Sequence, residues 1–270
     1  MQPLIFVTKP TEVARAAEAE ARKYLEPLEL KKPLVVAVGG DGTMLQAIKD
    51  YQNEDVLFVG ISAGSLGLLQ TINIEHLPEL VQALKQEAYE VTHAPLLSVA
   101  YCQPAGNNAL EDSQGPIIGH AFNDVSIERQ ESRAAKFKLR IDSSAGNFIG
   151  DGVIFSTPLG STAYSLAAGG PIIDSHLQDV FVITPNNPHL SSIHSSLQRP
   201  HVLSKKRTVR IEVSEADKHR PLQIAIDGAI VARNITAPLS IKISDRTVKI
   251  LQLSADKFGQ QIEEKRLGRA

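Results

Sequence analysis

The sequence is poor in the residues on which several classes of protein depend. It has a single cysteine among 270 residues, so neither an intramolecular disulfide nor a cysteine metal cluster can form. One thiol is typical of a reducing compartment, which predicts a cytoplasmic location. Tryptophan is absent and aromatic residues make up 5% of the chain, which leaves few rings on which single-stranded nucleic acid could stack. The formal net charge of -2 predicts no basic surface for nucleic acid or for an acidic membrane.

Long apolar runs are also missing. No apolar stretch reaches the roughly 20 residues that a membrane-spanning helix needs. The first ten residues, MQPLIFVTKP, lack the charged head and apolar core of a signal peptide. Histidines between residues 189 and 201 match no zinc-binding spacing. We therefore expect a soluble protein without a nucleic-acid partner, a membrane partner or a metal site built from its own side chains.

The first third of the chain alternates strand and helix patterns. Buried-strand runs at 4–7, 33–38 and 56–61 alternate with helical runs at 11–26, 43–52 and 74–89. Such alternation is typical of a parallel sheet with helical crossovers. We therefore expect an N-terminal, Rossmann-like α/β domain.

From about residue 96 the runs are shorter and alternate with a period of two. They lie at 137–142, 208–213, 222–227, 239–244 and 248–253, and turn residues separate them, which is typical of an antiparallel sandwich. A helical stretch at 161–170 interrupts the pattern, and residues 103–116 form a polar loop. The predicted class is α+β with two domains. An α/β domain covers 1–95, with the tail 254–270 returning to it, and a β-sandwich-like domain that carries the binding loops covers 96–253.

The motif GGDGT follows the second strand. Gly39, Gly40 and Gly42 permit a sharp turn and a close approach of ligand to backbone. The helix that follows offers unpaired N–H groups to a phosphate, so these glycines and Thr43 form the predicted phosphate-donor loop. Asp41 has the wrong sign to hold phosphate, but a carboxylate can accept a proton from a hydroxyl or bind Mg²⁺. The pattern leaves open a structural role in which Asp41 only caps the helix.

The spacing of GGDGT excludes two common nucleotide-binding motifs, and a second glycine-rich turn follows it in the sequence. Its spacing is neither the dinucleotide fingerprint nor a Walker A loop, and no lysine clamp for phosphate is evident from the sequence. A second glycine-rich turn, GISAGSLGLL at 60–69, follows the next strand. Two such turns on neighbouring strands are expected to face one crevice, although an ordinary loop remains an alternative.

Two further segments carry polar groups. In NDVSIER, Asn123 and Asp124 can form hydrogen bonds with a ribose diol or an amide. Alternatively, they can form an Asx turn at the start of a strand. The segment GDGVIFSTPLGSTAYSLAAGGPI at 150–172 has five hydroxyl groups within nine positions. They suit a polyhydroxylated, phosphate-bearing ligand, whereas a capped helix would account for two of them. The hydroxyl groups belong to Ser156, Thr157, Ser161, Thr162 and Tyr164.

These segments, with ITPNNPH and RPHVL, together resemble the NAD kinase family, in motif order from Gly39 to about Asp227. GGDG alone is shared with diacylglycerol and sphingosine kinases, whereas STPLGSTAYSLAAGGP is specific. The resemblance implies transfer of a phosphoryl group from ATP or polyphosphate to the 2′-hydroxyl of the adenosine ribose of NAD, which gives NADP. It also implies Mg²⁺ or another divalent cation that accompanies ATP, and a homodimer or homotetramer.

The resemblance also implies individual roles. Asp41 is the expected catalytic residue, which accepts the proton of the 2′-hydroxyl. The other NAD-binding residues that it implies are Gly42, Asn123, Asp124, Asp151, Thr162, Ala163, Tyr164 and Ala167. Asp227 matches a late Asp-Gly pair of the family, while Ile149 stands where some relatives have a basic residue.

Two other functions remain alternatives. One is a lipid kinase of the diacylglycerol or sphingosine type, and the other is a non-catalytic sensor that binds NAD or NADP. The intact Asp41 favours an enzyme over a sensor, and the hydroxyl-rich loops favour a dinucleotide over an acyl chain.

Overall fold

The computed structural model describes residues 2–64, 69–70, 72–102, 114–174, 176–189 and 197–253. The chain divides into two compact units. Unit 1 runs to Ala94 and resumes at Thr247, and unit 2 is Pro95–Arg246. The tail 254–270 and residues 103–113 of the expected polar loop lie outside the described residues.

Unit 1 alternates strands and helices. Its elements in chain order are β1 (Leu4–Thr8), α1 (Glu12–Leu25), β2 (Leu34–Gly39), α2 (Asp41–Tyr51), β3 (Leu57–Ser62), β4 (Ile72–Asn73) and α3 (Leu77–Gln86). Strands β1, β2 and β3 are parallel neighbours in that order, and β4 pairs with β3, also in parallel. The end of the last described strand, at Lys249 and Ile250, pairs with β3 as a further parallel neighbour.

The sheet of unit 1 is covered on both faces because β2 is apolar at every position. Leu34, Val36 and Val38 belong to the cluster that includes side chains of α1 and α3. Val35 and Ala37 point to the other face and are fully buried there, where α2 packs against β2. Successive strand residues face opposite sides, so the uninterrupted apolar run requires helices on both sides.

The first helix begins where the sequence predicts. The Ala14 N–H donates to Oγ1 of Thr11 at 3.3 Å, which satisfies one of the unpaired amides at the start of α1. Buried alanines on one face of the helix, Ala14, Ala17 and Ala21, allow a close approach to the sheet.

Unit 2 is built almost entirely from strands. In chain order its elements are β5 (Glu90–Cys102), β6 (Gln114–Ala121), β7 (Asp124–Arg129), β8 (Ala135–Ile141), β9 (Ser144–Gly150), β10 (Gly152–Ser156), α4 (Tyr164–Ala167), β11 (Val180–Asn186), β12 (His201–Ser204), β13 (Val209–Glu212), β14 (Leu222–Ile226), β15 (Ala229–Ile235) and β16 (Leu239–Gln252). The first residues of β5 and the last of β16 belong to unit 1.

These strands form two sheets. One has the order β6-β5-β16-β13-β8-β9, and the other, β12-β11-β10-β7-β14-β15, is antiparallel throughout. Their inward-facing side chains form a single apolar cluster. Within it Phe137 and Phe148 are cross-strand partners whose ring centroids lie 4.8 Å apart. The predicted α+β class, with a parallel sheet followed by an antiparallel sandwich, is therefore confirmed.

Two elements differ from the sequence prediction. The helix expected at 161–170 is a 3-10 turn at Leu159–Thr162 followed by the four residues of α4. Ala163 interrupts the helical backbone between them with φ of -96° and ψ of -127°. The two strands expected at 239–244 and 248–253 are one continuous strand, β16, because the polar residues between them form no turn. Among the described residues, no helix is long and apolar enough to cross a membrane.

Candidate functional site

The GGDG turn lies at the carboxyl end of β2, in unit 1. Gly40 is extended and precedes the helix, and Asp41 is the first residue of α2. Oδ1 of Asp41 accepts a hydrogen bond from the Leu69 N–H at 2.8 Å. No side-chain hydrogen bond caps α2. The carboxylate therefore contacts the chain that follows β3.

The described ends of the second glycine-rich turn lie beside the GGDG turn. Strand β3 pairs with β2 as far as Ser62 and Gly39, and the Ala63 N–H donates to the Gly39 carbonyl at 3.4 Å. With the contact from Leu69 to Asp41, this places both ends of the second turn next to the GGDG turn. Residues 65–68, at the centre of the second turn, lie outside the described residues.

The expected Asn–Asp pair opens β7 in unit 2, and a third carboxylate holds it. The side chain of Asp227 accepts the N–H groups of Phe122, Asn123 and Asp124 at 2.9, 2.7 and 3.1 Å. Asp227 and Gly228 form the two-residue turn between β14 and β15, with φ of 47° and 79°. Both positive values are those of a type I′ hairpin turn, for which Asp-Gly is a favoured sequence. Asp227 thus positions the segment that carries Asn123 and Asp124.

The pKa of the Asp124 carboxyl group is higher than that of an ordinary aspartate. Its side chain is buried, with 5% exposure. Burial, followed by the negative charges of Asp227 and Glu128, raises the pKa of Asp124 to about 7, against a lowering contribution from the Tyr164 N–H that bonds to it. A carboxyl group with this pKa is partly protonated near neutrality. It can then donate a hydrogen bond as well as accept one, which suits a pair of sugar hydroxyls.

A polar row crosses three strands of the second sheet. Gly152 on β10 is the cross-strand partner of Glu128 on β7 and of Asn186 on β11. Because glycine has no side chain, Glu128 and Asn186 reach across it, and Nδ2 of Asn186 donates to Oε1 of Glu128 at 2.9 Å. A Cβ on Gly152 would lie 2.8 Å from Cγ of Glu128 and 2.4 Å from the Ile127 carbonyl oxygen. The second GDG motif therefore needs its last glycine for this row.

Tyr164 joins this row to Asp124. Its hydroxyl donates to Oε1 of Glu128 at 2.7 Å, and it also accepts from Asn186 at 2.9 Å. Burial and the hydrogen bond to the Glu128 carboxylate raise the pKa of Tyr164 to about 12. Since its own N–H bonds to Asp124, Tyr164 holds two carboxyl groups of unit 2 in a fixed relation.

Asp151 is held by a cation that the sequence analysis did not single out. Nε of Arg129 lies 2.6 Å from Oδ1 of Asp151, and the Arg129 N–H donates to the Asp151 carbonyl at 2.8 Å. Nδ2 of Asn187 donates to Oδ2 of the same carboxylate at 3.2 Å. Arg129 therefore supplies a positive charge to Asp151 from β7.

The hydroxyl-rich segment is largely structural. Thr157 donates to the Phe122 carbonyl at 2.7 Å and accepts the Gly160 N–H at 3.0 Å. Ser161 donates to the Pro158 carbonyl at 2.6 Å. Both side chains are fully buried, as is Ser156. These three hydroxyls are therefore buried inside unit 2, and the ligand contacts expected for the whole set stay a prediction.

The other implied binding residues lie in α4 or just before it. Thr162 is half-buried and its hydroxyl donates to the Leu159 carbonyl at 3.0 Å. Ala163 precedes α4, and Ala167, which ends it, is exposed. A Cβ on Gly160 would lie 1.9 Å from the Asn123 carbonyl oxygen, so this loop packs directly against the Asn–Asp segment.

Both halves of the chain match models of one protein family. Residues 6–89 match the ATP-NAD kinase N-terminal domain, and residues 122–253 match the ATP-NAD kinase C-terminal domain. The chain belongs to the NAD kinase family. It is 32% identical to the NAD kinase of Sulfurimonas denitrificans over 234 residues, which cover 86% of this chain and 76% of the relative. It is 34% identical to the NAD kinase of Brucella suis over 228 residues, which cover 83% and 81%.

Solved structures share the fold. A yeast NADH kinase complexed with NADH superposes with a TM-score of 0.80 at 20% identity, covering 100% of this chain and 89% of the other. An NAD kinase from Archaeoglobus fulgidus in complex with ATP gives a TM-score of 0.71 at 23% identity and covers 98% of each chain. At these identities the likeness establishes the two-domain NAD kinase fold, and the family, one of phosphotransferases, follows from the sequence matches.

Within this family fold, the expected residues divide between the two units. Asp41 and the glycine turn belong to unit 1, whereas residues 123–167 belong to unit 2. There Tyr164 bonds to Asp124, and Asp151 pairs separately with Arg129. The sequence analysis did not predict roles for Glu128, Arg129 and Asn186. Each has a sequence signal, because Glu128 and Arg129 close the NDVSIER motif and Asn186 lies in ITPNNPH.

Proposed function

We propose that this protein is an NAD kinase, which transfers the terminal phosphoryl group of ATP, or of polyphosphate, to the 2′-hydroxyl of the adenosine ribose of NAD. The proposal depends above all on Asp41. It is the acid of the GGDG turn in a chain that matches both domains of the family, and the Leu69 amide fixes the direction of its carboxylate. A carboxylate held in this way can serve as a general base for a hydroxyl group.

The reaction needs one proton acceptor and one leaving group. The 2′-oxygen of NAD attacks the terminal phosphorus of ATP, its proton passes to the Asp41 carboxylate, and ADP leaves with the electrons of the broken P–O bond. The products are NADP and ADP, and Asp41 later releases the proton to solvent. Phosphoryl transfer asks a protein chiefly for alignment and charge neutralisation, which accords with a rigid glycine turn at the end of a buried strand.

We assign NAD binding to the polar groups of unit 2. Asn123, Asp124, Asp151 and Tyr164 offer the donors and acceptors that a ribose and a carboxamide require. Ala163 and Ala167 offer small apolar contacts, and Thr162, which precedes Ala163, offers a hydroxyl group. The partly protonated Asp124 supports this assignment, because sugar hydroxyls both donate and accept hydrogen bonds. The aliphatic groove that a lipid kinase needs for an acyl chain has no counterpart in this polar cluster.

We assign the donor's phosphates to Gly39, Gly40, Gly42 and Thr43, with Mg²⁺ or another divalent cation. Among the described residues, no group of three or more His, Cys, Asp or Glu side chains could hold a metal ion. A cation bound mainly through the donor's own phosphates fits such a protein. When bound, Mg²⁺ would neutralise negative charge on the transferring phosphoryl group.

The proposal is tested by Asp41→Asn, with Asp50→Asn at the exposed end of the same helix as the matched control. We expect Asp41→Asn to lower kcat roughly 10²- to 10⁴-fold, the usual worth of a general base, and to leave the thermal midpoint and the far-UV spectrum unchanged. NADP formation from NAD, ATP and Mg²⁺ is the assay. Near-normal turnover by the Asp41 variant would refute the role of this carboxylate.

The same assay separates the alternatives. Calorimetric binding of NAD without formation of NADP would favour a sensor, and phosphorylation of diacylglycerol without binding of NAD would favour a lipid kinase. We also propose a homodimer or homotetramer and a cytoplasmic location, which light scattering and cell fractionation test. The functional domains are proposed as 1–95 with 254–270, and 96–253.

A further inference from the structure

A cavity of about 300 Å³ opens beside the GGDG turn, within unit 1. One side of it is formed by the residues at the end of β1 and just beyond, Val7, Thr8, Lys9 and Pro10. The other side is formed by the turn and the first part of α2, through Gly40, Gly42, Thr43 and Gln46. The cavity thus lies between the carboxyl ends of two neighbouring parallel strands, where open α/β sheets bind ligands.

The two glycines in the cavity wall are not explained by the protein alone. Gly40 has φ of -113° and ψ of -173°, an extended conformation that any residue adopts. Gly42 lies in the first turn of α2, where glycine lowers helix stability relative to alanine. An added Cβ at either position would meet no described atom within 4 Å. Open space above a glycine backbone is what a bound ligand that approaches the main chain requires.

The described lining of the cavity carries one positive charge. Among these described residues, Lys9 is the charged member and none is a carboxylate. Within the described part of the chain, the structure shows no ion pair for Lys9. By contrast, Lys23, Lys205 and Lys218 have carboxylate partners at 2.5–2.7 Å.

The position of Lys9 is fixed by the sheet. Its N–H donates to the Val38 carbonyl at 3.1 Å, which extends the β1–β2 ladder by one residue. Its Cβ lies 3.2 Å from the place that a Cβ on Gly39 would occupy. The lysine side chain therefore starts directly beside the glycine turn, although 30 residues of sequence separate the two.

We propose that Lys9 binds the phosphate groups of the phosphoryl donor. This inference depends on the proposed function, which supplies the donor, and it adds the cation that the sequence analysis did not find. Lys9 stands on the β1 side of the turn, and the Asp41 carboxylate is directed to Leu69 on the β3 side. The cation and the acid are thus held apart, so that donor phosphates and the acceptor hydroxyl can meet at the turn from opposite sides.

The test removes the charge and keeps the bulk. Lys9→Met preserves the apolar stem, Lys9→Arg restores a cation, and Lys49→Met, at the exposed end of α2, is the matched control. Calorimetry measures the binding of inorganic tripolyphosphate and of MgATP, and steady-state assays measure the KM for ATP and for NAD separately. Thermal melting verifies that each variant is folded.

We expect Lys9→Met to weaken binding of tripolyphosphate roughly 10- to 100-fold, as the loss of a charge-assisted hydrogen bond does. The KM for ATP should rise in the same proportion, the KM for NAD should stay unchanged, and Lys9→Arg should recover most of the loss. Unaltered tripolyphosphate affinity in Lys9→Met, an equal loss for NAD, or no binding of tripolyphosphate by the natural protein would each overturn the inference. If binding depends on Lys9 but no NADP forms, the inference holds and the proposed function fails.

Discussion

Asp124 gives a prediction about stability that can be worked out from the structure. An ordinary aspartate has a pKa of 3.8, and burial beside Asp227 and Glu128 raises that of Asp124 to about 7 in the folded protein. Between these two values the folded state binds more protons than the unfolded state. The free energy of unfolding therefore falls as the pH rises through this range, because stability rises with pH only where the unfolded state binds more protons.

The magnitude follows from the difference between the two pKa values. At about 1.4 kcal/mol per pKa unit, the rise from 3.8 to about 7 corresponds to about 4 kcal/mol over the whole titration. Roughly 2–3 kcal/mol of this falls between pH 5 and pH 8. An asparagine at this position keeps an oxygen that accepts the Tyr164 N–H but carries no charge at any of these pH values. The stability of Asp124→Asn relative to that of the natural protein should therefore increase by that amount as the pH rises from 5 to 8.

Urea unfolding at intervals from pH 5 to pH 8 measures the effect. The informative quantity is the difference between variant and natural protein, because titrating groups that do not interact with Asp124 contribute equally to both. Asp245→Asn, which removes an exposed carboxylate of the same unit, should show a difference that is flat with pH. If the difference for Asp124→Asn is also flat, the carboxyl group is ionised throughout and the argument from burial is wrong.

Two further predictions concern the same unit. Gly160→Ala places a Cβ 1.9 Å from a backbone oxygen of Asn123. Because the backbone must move, we expect the free energy of unfolding, measured with urea, to fall by about 3 kcal/mol, the upper end for overpacking. We also expect weaker binding of NAD, measured by calorimetry. Unchanged stability would show that the loop is loosely packed. Glu128→Gln removes the acceptor charge that helps to raise the pKa of Tyr164 to about 12, so Tyr164 should ionise at lower pH in a spectrophotometric titration. Tyr164→Phe assigns the signal to this residue. An unaltered titration would exclude the contact between Tyr164 and Glu128.

Local sequence was sufficient to predict the first three strands and the three helices of unit 1. The run from Leu34 to Val38 is apolar at every position, which only a strand covered on both faces explains, and the glycines end it. The junction in β16 was not predictable in this way. Its polar residues from Ser244 to Thr247 suggest a turn, yet the strand continues because neighbouring strands supply hydrogen-bond partners on either side of that stretch.

Side-chain direction was the part of the candidate site that sequence could not supply. Thr157 and Thr162 are alike in the sequence, but the hydroxyl of Thr157 is buried against the Phe122 carbonyl, which lies 35 residues earlier. Only the pairing of β7 with β10 creates that contact. Lys9 is a similar case, because its relation to the glycine turn arises from the parallel pairing of β1 and β2 and not from any motif.

The hydrogen bonds of Asp227 can form only late in the synthesis of the chain. The residue that holds the Asn123 amide is 104 positions further along the chain. A nascent polypeptide that has emerged only as far as α4 already contains every dinucleotide-binding side chain assigned above to unit 2, yet it lacks the carboxylate that fixes the first of them. The ability to bind NAD should therefore arise only after the hairpin of β14 and β15 has left the ribosome, and chains that end before it should be unable to bind NAD.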